Sequence, residues 1–184
     1  MISSKKFSDQ RGYTLIEVLA AIAIIGVLAA VGLPSYTDSL ERNRVAGAAE
    51  EIFGLLLRAK SEGTIRDVDM SFNTNPAATP WCAGFSATPG CDCTNTSSCT
   101  VNVAGTSVLQ TLSGAEFDNV VIAESFATGT GTTFSRIRGT ASQAGIVAIT
   151  DGSWQLNVVV DADGSVEICN PNDATDSIPG YTSC

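Results

Sequence analysis

From Tyr13 to Leu33 the chain runs for 21 residues with a single charged side chain, Glu17. No other feature restricts the fold so strongly. At about 1.5 Å of rise per residue, a helix of that length crosses the roughly 30 Å hydrocarbon layer of a bilayer. Inside hydrocarbon the backbone must satisfy its own hydrogen bonds, which leaves a helix as the form for a lone segment. A carboxylate in such a helix costs on the order of 2.5–3.5 kcal/mol on insertion scales. An acid held at that cost calls for a partner.

Charge sets the expected direction of insertion. Residues 1–12 hold Lys5, Lys6 and Arg11 against Asp9, a surplus of +2, whereas residues 67–184 hold Arg136 and Arg138 against twelve acids, a balance of −10. Positive flanks stay in the cytoplasm, so the C-terminal part is expected outside. A cleaved secretory signal has an apolar core of about 7–15 residues and a small-residue cleavage site after it. Here the run is longer and lacks a clear stop, and the polar leader ends instead at Gly12, ahead of the apolar stretch. The acidic C-terminal part repels nucleic acid in bulk.

After Pro34 the pattern becomes amphipathic. Val45, Ala49, Ile52, Phe53 and Leu56 recur at helical spacing opposite Arg42, Glu50, Arg58 and Glu62, so one helix is expected to about Arg66 with its apolar stripe under a sheet. Pro34 removes a helical hydrogen bond, and with Gly26 and Gly32 upstream it marks an expected bend or break. From Val68 onward, short alternating runs at Val68-Met70-Phe72, Val101-Val103, Val120-Ile122 and Trp154-Leu156-Val158-Val160 read as strands between Gly, Ser, Thr, Asn and Asp turns. Residues 127–133, "ATGTGTT", read as a loop or hairpin tip, and Asp161-Ala162-Asp163-Gly164 as the turn of a final hairpin. The expected class is α+β: a long N-terminal helix on an antiparallel sheet or small sandwich.

The chain has no histidine, which removes Ser-His and Cys-His catalytic pairs and His-containing metal sites. No nucleophile is paired with a base, so no catalytic, cofactor or metal residue is assigned and no enzyme is expected. Six cysteines, Cys82, Cys91, Cys93, Cys99, Cys169 and Cys184, follow an export-type N-terminus, and disulfides in an oxidising compartment are the economical reading. The first four lack the paired knuckle spacing of zinc sites. Cys82 is expected to bond Cys91 or Cys93, the remaining one to bond Cys99, and Cys169 to bond Cys184. Asp161, Asp163 and Gly164 match only the start of a calcium loop; the third carboxylate and the correctly placed glutamate are missing, so a plain turn is expected.

"RGYTLIEVLAAIAIIGVLAAVGLPSY", Arg11 to Tyr36, resembles the N-terminal signal of type IV pilins and of the pseudopilins of type II secretion: a basic leader ending in Gly, an aromatic residue, Thr-Leu-Ile-Glu, an apolar run, then Pro. The resemblance implies that a prepilin peptidase cuts between Gly12 and Tyr13 on the cytoplasmic side and that the new amino group of Tyr13 is methylated. The family usually carries Phe there; Tyr keeps the ring. It also implies that Glu17 meets the terminal ammonium of a neighbouring subunit in the filament, and that the helix melts locally between Gly26 and Pro34 there. Pairing offsets part of the desolvation, and removing one partner strands the other.

Glu41–Asp67 is similar to the FimT/FimU/GspH-type minor pilins and pseudopilins, with Arg58-Ala59-Lys60-Ser61-Glu62-Gly63 at the helix end. The implied organisation is a leader over 1–12, a transmembrane and filament-core segment over 13–37, an amphipathic half of the same helix over 38–66, and a disulfide-bonded periplasmic or extracellular β domain over 67–184. The implied function is a minor pilin of a type IV pilus. Its partners would be other pilin subunits, the peptidase, and the inner membrane before assembly. A GspH-like pseudopilin, a major pilin and a pilus-tip DNA-uptake receptor are the alternatives. Some FimT-like pilins bind DNA through a C-terminal Gly-Arg-x-Arg motif. The equivalent hairpin here reads Gly164-Ser165-Val166-Glu167, without either arginine, so DNA is not an expected partner.

Overall fold

The computed structural model describes residues 12–127, 129, 131–172 and 176–184, without the side chains of 31–34. The chain divides into two compact units, Met1–Ser39 and Leu40–Cys184. Helix α1 (Leu15–Arg66) begins in the first and ends in the second. In the first unit the described side chains from Gly12 to Asp38 are exposed, among them Leu19, Ile22, Ile25 and Leu28. An 18-residue window of this stretch has a mean hydropathy of 2.6, long and apolar enough to cross a membrane. Helical backbone continues through Gly26 and Pro34 in the single chain; the local melting expected there concerns the filament.

In the second unit α1 becomes one-sided. Val45, Ala48, Ala49, Ile52, Leu55, Leu56 and Ala59 are buried, while Asn43, Glu50, Gly54 and Ser61 face outward. The apolar period of 3.6 turns one stripe toward the strands. Ten strands follow: β1 (Met70–Asn75), β2 (Cys82–Ser86), β3 (Thr100–Val103), β4 (Thr106–Leu109), β5 (Thr111–Ser113), β6 (Val121–Phe126), β7 (Gly131–Phe134), β8 (Gly145–Asp151), β9 (Trp154–Val160) and β10 (Val166–Cys169). They form a four-stranded sheet in the order β5-β2-β1-β7, a second in the order β10-β9-β8-β6, and the β3-β4 hairpin. All ladders are antiparallel. The fold is thus α+β, a long helix on antiparallel sheets.

Three of the expected strands lie in β1, β3 and β9, and the run at Val120-Ile122 opens β6. The "ATGTGTT" stretch differs: Gly131–Thr133 belong to β7 rather than to a loop. A Cβ at Gly131 would stand 1.8 Å from the Phe72 carbonyl oxygen, so only glycine permits this approach of β7 to β1. The core joins Phe72, Phe85 and Phe134 of the first sheet to Ile149, Leu156 and Val158 of the second, all closed to solvent, beneath Ile52 and Leu56 of the helix. Each such side chain contributes about 1.5–3 kcal/mol relative to exposure.

Polar ties fix the helix against the strands. Lys60 Nζ donates to the Gly164 carbonyl at 2.8 Å, Tyr181 Oη donates to Glu50 at 2.8 Å, and Arg66 donates to the Asn102 carbonyl. Arg44 stands 3.6 Å from the buried carboxylate of Asp151. The guanidinium of Arg42 lies 5.9 Å from the centroid of the Trp154 ring. Trp81, stacked on Phe117 with centroids 6.1 Å apart, donates its indole N–H to the Val120 carbonyl at 2.8 Å.

Candidate assembly site in the N-terminal helix

Gly12, Tyr13 and Thr14 precede the helix in non-helical backbone, all exposed. Space around Gly12 is open, with nothing within 4 Å of where its Cβ would be. Both residues of the Gly12–Tyr13 bond are thus exposed. Lys5, Lys6 and Arg11 of the leader lie outside the described residues.

Helix α1 starts immediately afterwards. The Glu17 N–H reaches the Thr14 carbonyl at 3.1 Å and the Thr14 hydroxyl at 3.4 Å. Thr14 is thus the N-cap, and Thr14-Leu15-Ile16-Glu17 is the S/T-x-x-E pattern of a capping box. Reading Glu17 only as a membrane anomaly overlooks this role, although the spacing carried the signal. The first helical turn also presents unsatisfied N–H groups and the positive end of the dipole. That environment tolerates an anion before any partner arrives. Glu17 and Tyr13 are both exposed, leaving the carboxylate open to a cation from another chain.

The cysteines form three bonds: Cys82–Cys93, Cys91–Cys99 and Cys169–Cys184. For the first four this is one of the two arrangements expected. The last closes a C-terminal loop with a sequence separation of 15, a constraint of about 3 kcal/mol in the chain-entropy picture. Buried Asn170 organises that loop, donating to the Ile178 and Tyr181 carbonyls and accepting from the Ile178 N–H. Nothing in the sequence pattern singled out Asn170.

The Asp161–Gly164 turn joins β9 to β10 through a bond from the Gly164 N–H to the Asp161 carbonyl at 2.9 Å. Asp163 accepts from the Ser165 N–H at 2.8 Å and its hydroxyl at 2.7 Å. These bonds hold its carboxyl below the usual range. Both are interactions of an Asx turn. Arg136 and Arg138 lie in the β7–β8 loop, where the Arg136 N–H donates to Asp69 at 2.9 Å and its side chain stands 3.5 Å from Asp67.

An exposed apolar helix, capped by a threonine and long and apolar enough to cross a membrane, thus leads into a disulfide-bonded antiparallel domain. Residues 7–33 match the prokaryotic N-terminal methylation motif. The chain is 26% identical over 152 residues to a fimbrial protein of Pseudomonas aeruginosa, covering 81% of this chain and 86% of that one. It is 43% identical over 51 residues to the type IV major fimbrial protein FimA of Dichelobacter nodosus, 28% of this chain and 32% of that one. In fold it resembles the crystal structure of the type IV minor pilin FimU of Pseudomonas aeruginosa, with a TM-score of 0.51, 18% identity, and coverage of 75% of this chain and 97% of that one. These likenesses, in the N-terminal motif, in sequence and in fold, are to type IV pilins. Its apolar helix and N-terminal motif fit anchoring in a membrane followed by assembly with other pilin subunits.

Proposed function

We propose that the chain is a structural subunit of a type IV pilus, a minor pilin of FimU-like architecture, that works by assembly rather than catalysis. In this reading a prepilin peptidase hydrolyses the Gly12–Tyr13 bond on the cytoplasmic face and the new Tyr13 amine is methylated. The subunit then waits as a single-pass inner-membrane protein with its disulfide-bonded domain in the periplasm. On incorporation, Glu17 pairs with the terminal ammonium of a neighbouring subunit, and the helix loosens between Gly26 and Pro34 as it packs. One observation carries the reading: the lone acid of the apolar run sits in the first turn of α1, in a stretch whose described side chains are exposed, four residues after the expected new terminus.

A second reading, a major pilin, is supported by the similarity over 51 residues to the type IV major fimbrial protein FimA. For a DNA-uptake receptor the sign is adverse, because residues 67–184 carry a balance of −10 and the Arg136 side chain already stands beside Asp67. Deleting the gene and scoring pili, secretion and transformation separates the machines. Loss of pili with secretion intact is expected; lost secretion with normal pili would overturn the pilus reading in favour of a pseudopilus. Abundance of the chain in sheared filaments then separates minor from major subunit.

A further inference from the structure

Gln110 joins β4 to β5 without a turn. Its N–H donates to the Cys99 carbonyl at 2.8 Å, and its carbonyl accepts from the Phe85 N–H at 3.1 Å. A strand directs both backbone groups of one residue to the same side, so β3 and then β2 lie along one side of residues 106–113. Alternation fixes the other side. The Gly114 N–H donates to the Trp81 carbonyl at 2.7 Å, which with Gln110 puts the even-numbered residues in the ladder. The N–H and C=O groups of Ser107, Leu109, Thr111 and Ser113 point away from it and have no hydrogen-bond partner among the described residues.

Proteins blunt open edges with charge, proline, bulges or a covering segment, because an open edge pairs with extended chains. The other sheet edges of this unit are blunted in these ways. Over β7 the Ser142 N–H donates to the Thr133 carbonyl at 2.8 Å, β6 carries Glu124 and β10 carries Glu167. Residues 106–113, Thr-Ser-Val-Leu-Gln-Thr-Leu-Ser, contain no charge, proline or glycine. Val108 and Leu109 are 39% and 41% exposed. Beside the β5 half of this edge lies a hollow of about 610 Å³. Asn75, Thr79, Thr94, Thr111 and Ser113 line it around the Cys82–Cys93 bridge, with no charged residue in its wall.

We propose that residues 106–113 take up an extended segment of another protein as an added strand. Main-chain bonds to Ser107, Leu109, Thr111 and Ser113 hold the segment, and the hollow receives one of its side chains. The segment is uncharged where it meets the edge, since nothing there would pair a buried ion. Beyond the edge it is basic. Residues 67–184 carry a balance of −10, which attracts cations and repels acidic chains, a second copy of this one included. One strand occupies the edge, so the contact is one-to-one, and it stands whether or not the chain enters a pilus.

The probe is a synthetic peptide of alternating threonine and valine, as long as the edge and with a lysine at each end, added to the full chain in detergent. Amide hydrogen exchange is expected to slow by about tenfold or more at Ser107, Leu109, Thr111 and Ser113, while Val108, Gln110 and Leu112, already in the ladder, change little. Thr111→Pro removes an outward donor and leaves the ladder intact, a substitution that edge strands accept. Peptide affinity is expected to fall by about tenfold, with the disulfides and the protection of Gln110 retained. Thr111→Lys keeps the backbone and sets a charge in the hollow, with weaker binding again expected; if Thr111→Pro loses its fold, this variant decides. No slowing up to millimolar peptide, or binding unaltered in a folded Thr111 variant, overturns the added strand. Slowing that grows with chain concentration in the absence of peptide also overturns it, and assigns the edge to a second copy.

Discussion

Ile25 and Ile52 stand in the same helix, yet Ile25 is 64% exposed and Ile52 is closed to solvent. The contrast divides the molecule. Residues 40–184 contain a shared core, three disulfides and ties to the helix, so their structure is sustained by contacts the chain makes with itself. In the helical stretch before Ser39 the apolar side chains described lie exposed, outside that core. A sequence can therefore encode two kinds of order in one helix: one completed by folding, the other only by environment. Glu17 belongs to the second kind. Thr14 caps the backbone N–H of Glu17, and the carboxylate itself stays exposed, its partner expected on another molecule.

The largest effect that could break this contrast is Glu17→Ala. Leader removal is expected to continue and the core to stay intact, but an ammonium left unpaired in the filament costs roughly 3–5 kcal/mol, a loss of more than about a hundredfold in incorporation. N-terminal sequencing and immunoblots of sheared filaments check both halves. Normal incorporation would remove the pairing argument, and protein still beginning at Met1 would remove the processing argument as well.

The converse experiment is Phe72→Ala. Phe72 is wholly buried between the strands and the helix, so its truncation is expected to cost about 3–5 kcal/mol of domain stability. Denaturant unfolding of the full chain in detergent, followed by tryptophan fluorescence, reads that loss, while the helicity of the apolar segment should be unchanged. If both fall together, the two parts are not energetically separate.

A smaller effect sharpens the domain side. Burial raises the Tyr181 phenol to about 12 from 10.0, with its hydrogen bond to Glu50 and the Glu50 charge adding to the shift. The folded state holds this proton more tightly than the unfolded state, so its contribution is fully present below about pH 10 and is lost as pH rises toward 12. In Tyr181→Phe that part of the alkaline decline is expected to vanish. A wild-type and variant curve that stay parallel through this window would show that the C-terminal loop is held by Cys169–Cys184 and Asn170 instead.

How much of this was legible depends on the range of the physics. The amphipathic stripe, the final hairpin and strand β9 each follow from residues within a few positions of one another, and they were readable as period and turn. Strand β2, "CAGFS", gave no alternation to read. All five of its residues are buried, with β1 on one side and β5 on the other. Strand β7 is rich in Gly and Thr, residues more usual in a loop. The pairing of Cys82 with Cys93 rather than Cys91 likewise waited on register. Cys99 lies against Gly84, close enough that a Cβ there would meet its sulfur at 2.8 Å, and Cys91 is the partner brought to it.

What the residues determined unaided was the anchor and its chemistry: a run of spanning length, one acid, and a threonine three residues before it. A bilayer and a helix terminus act on neighbours along the chain, so that information is local. Only the tertiary structure decided which sulfurs meet and which strands share a sheet. Those facts depend on residues far apart in sequence being brought together, and the position of each is set by the packing of all the others.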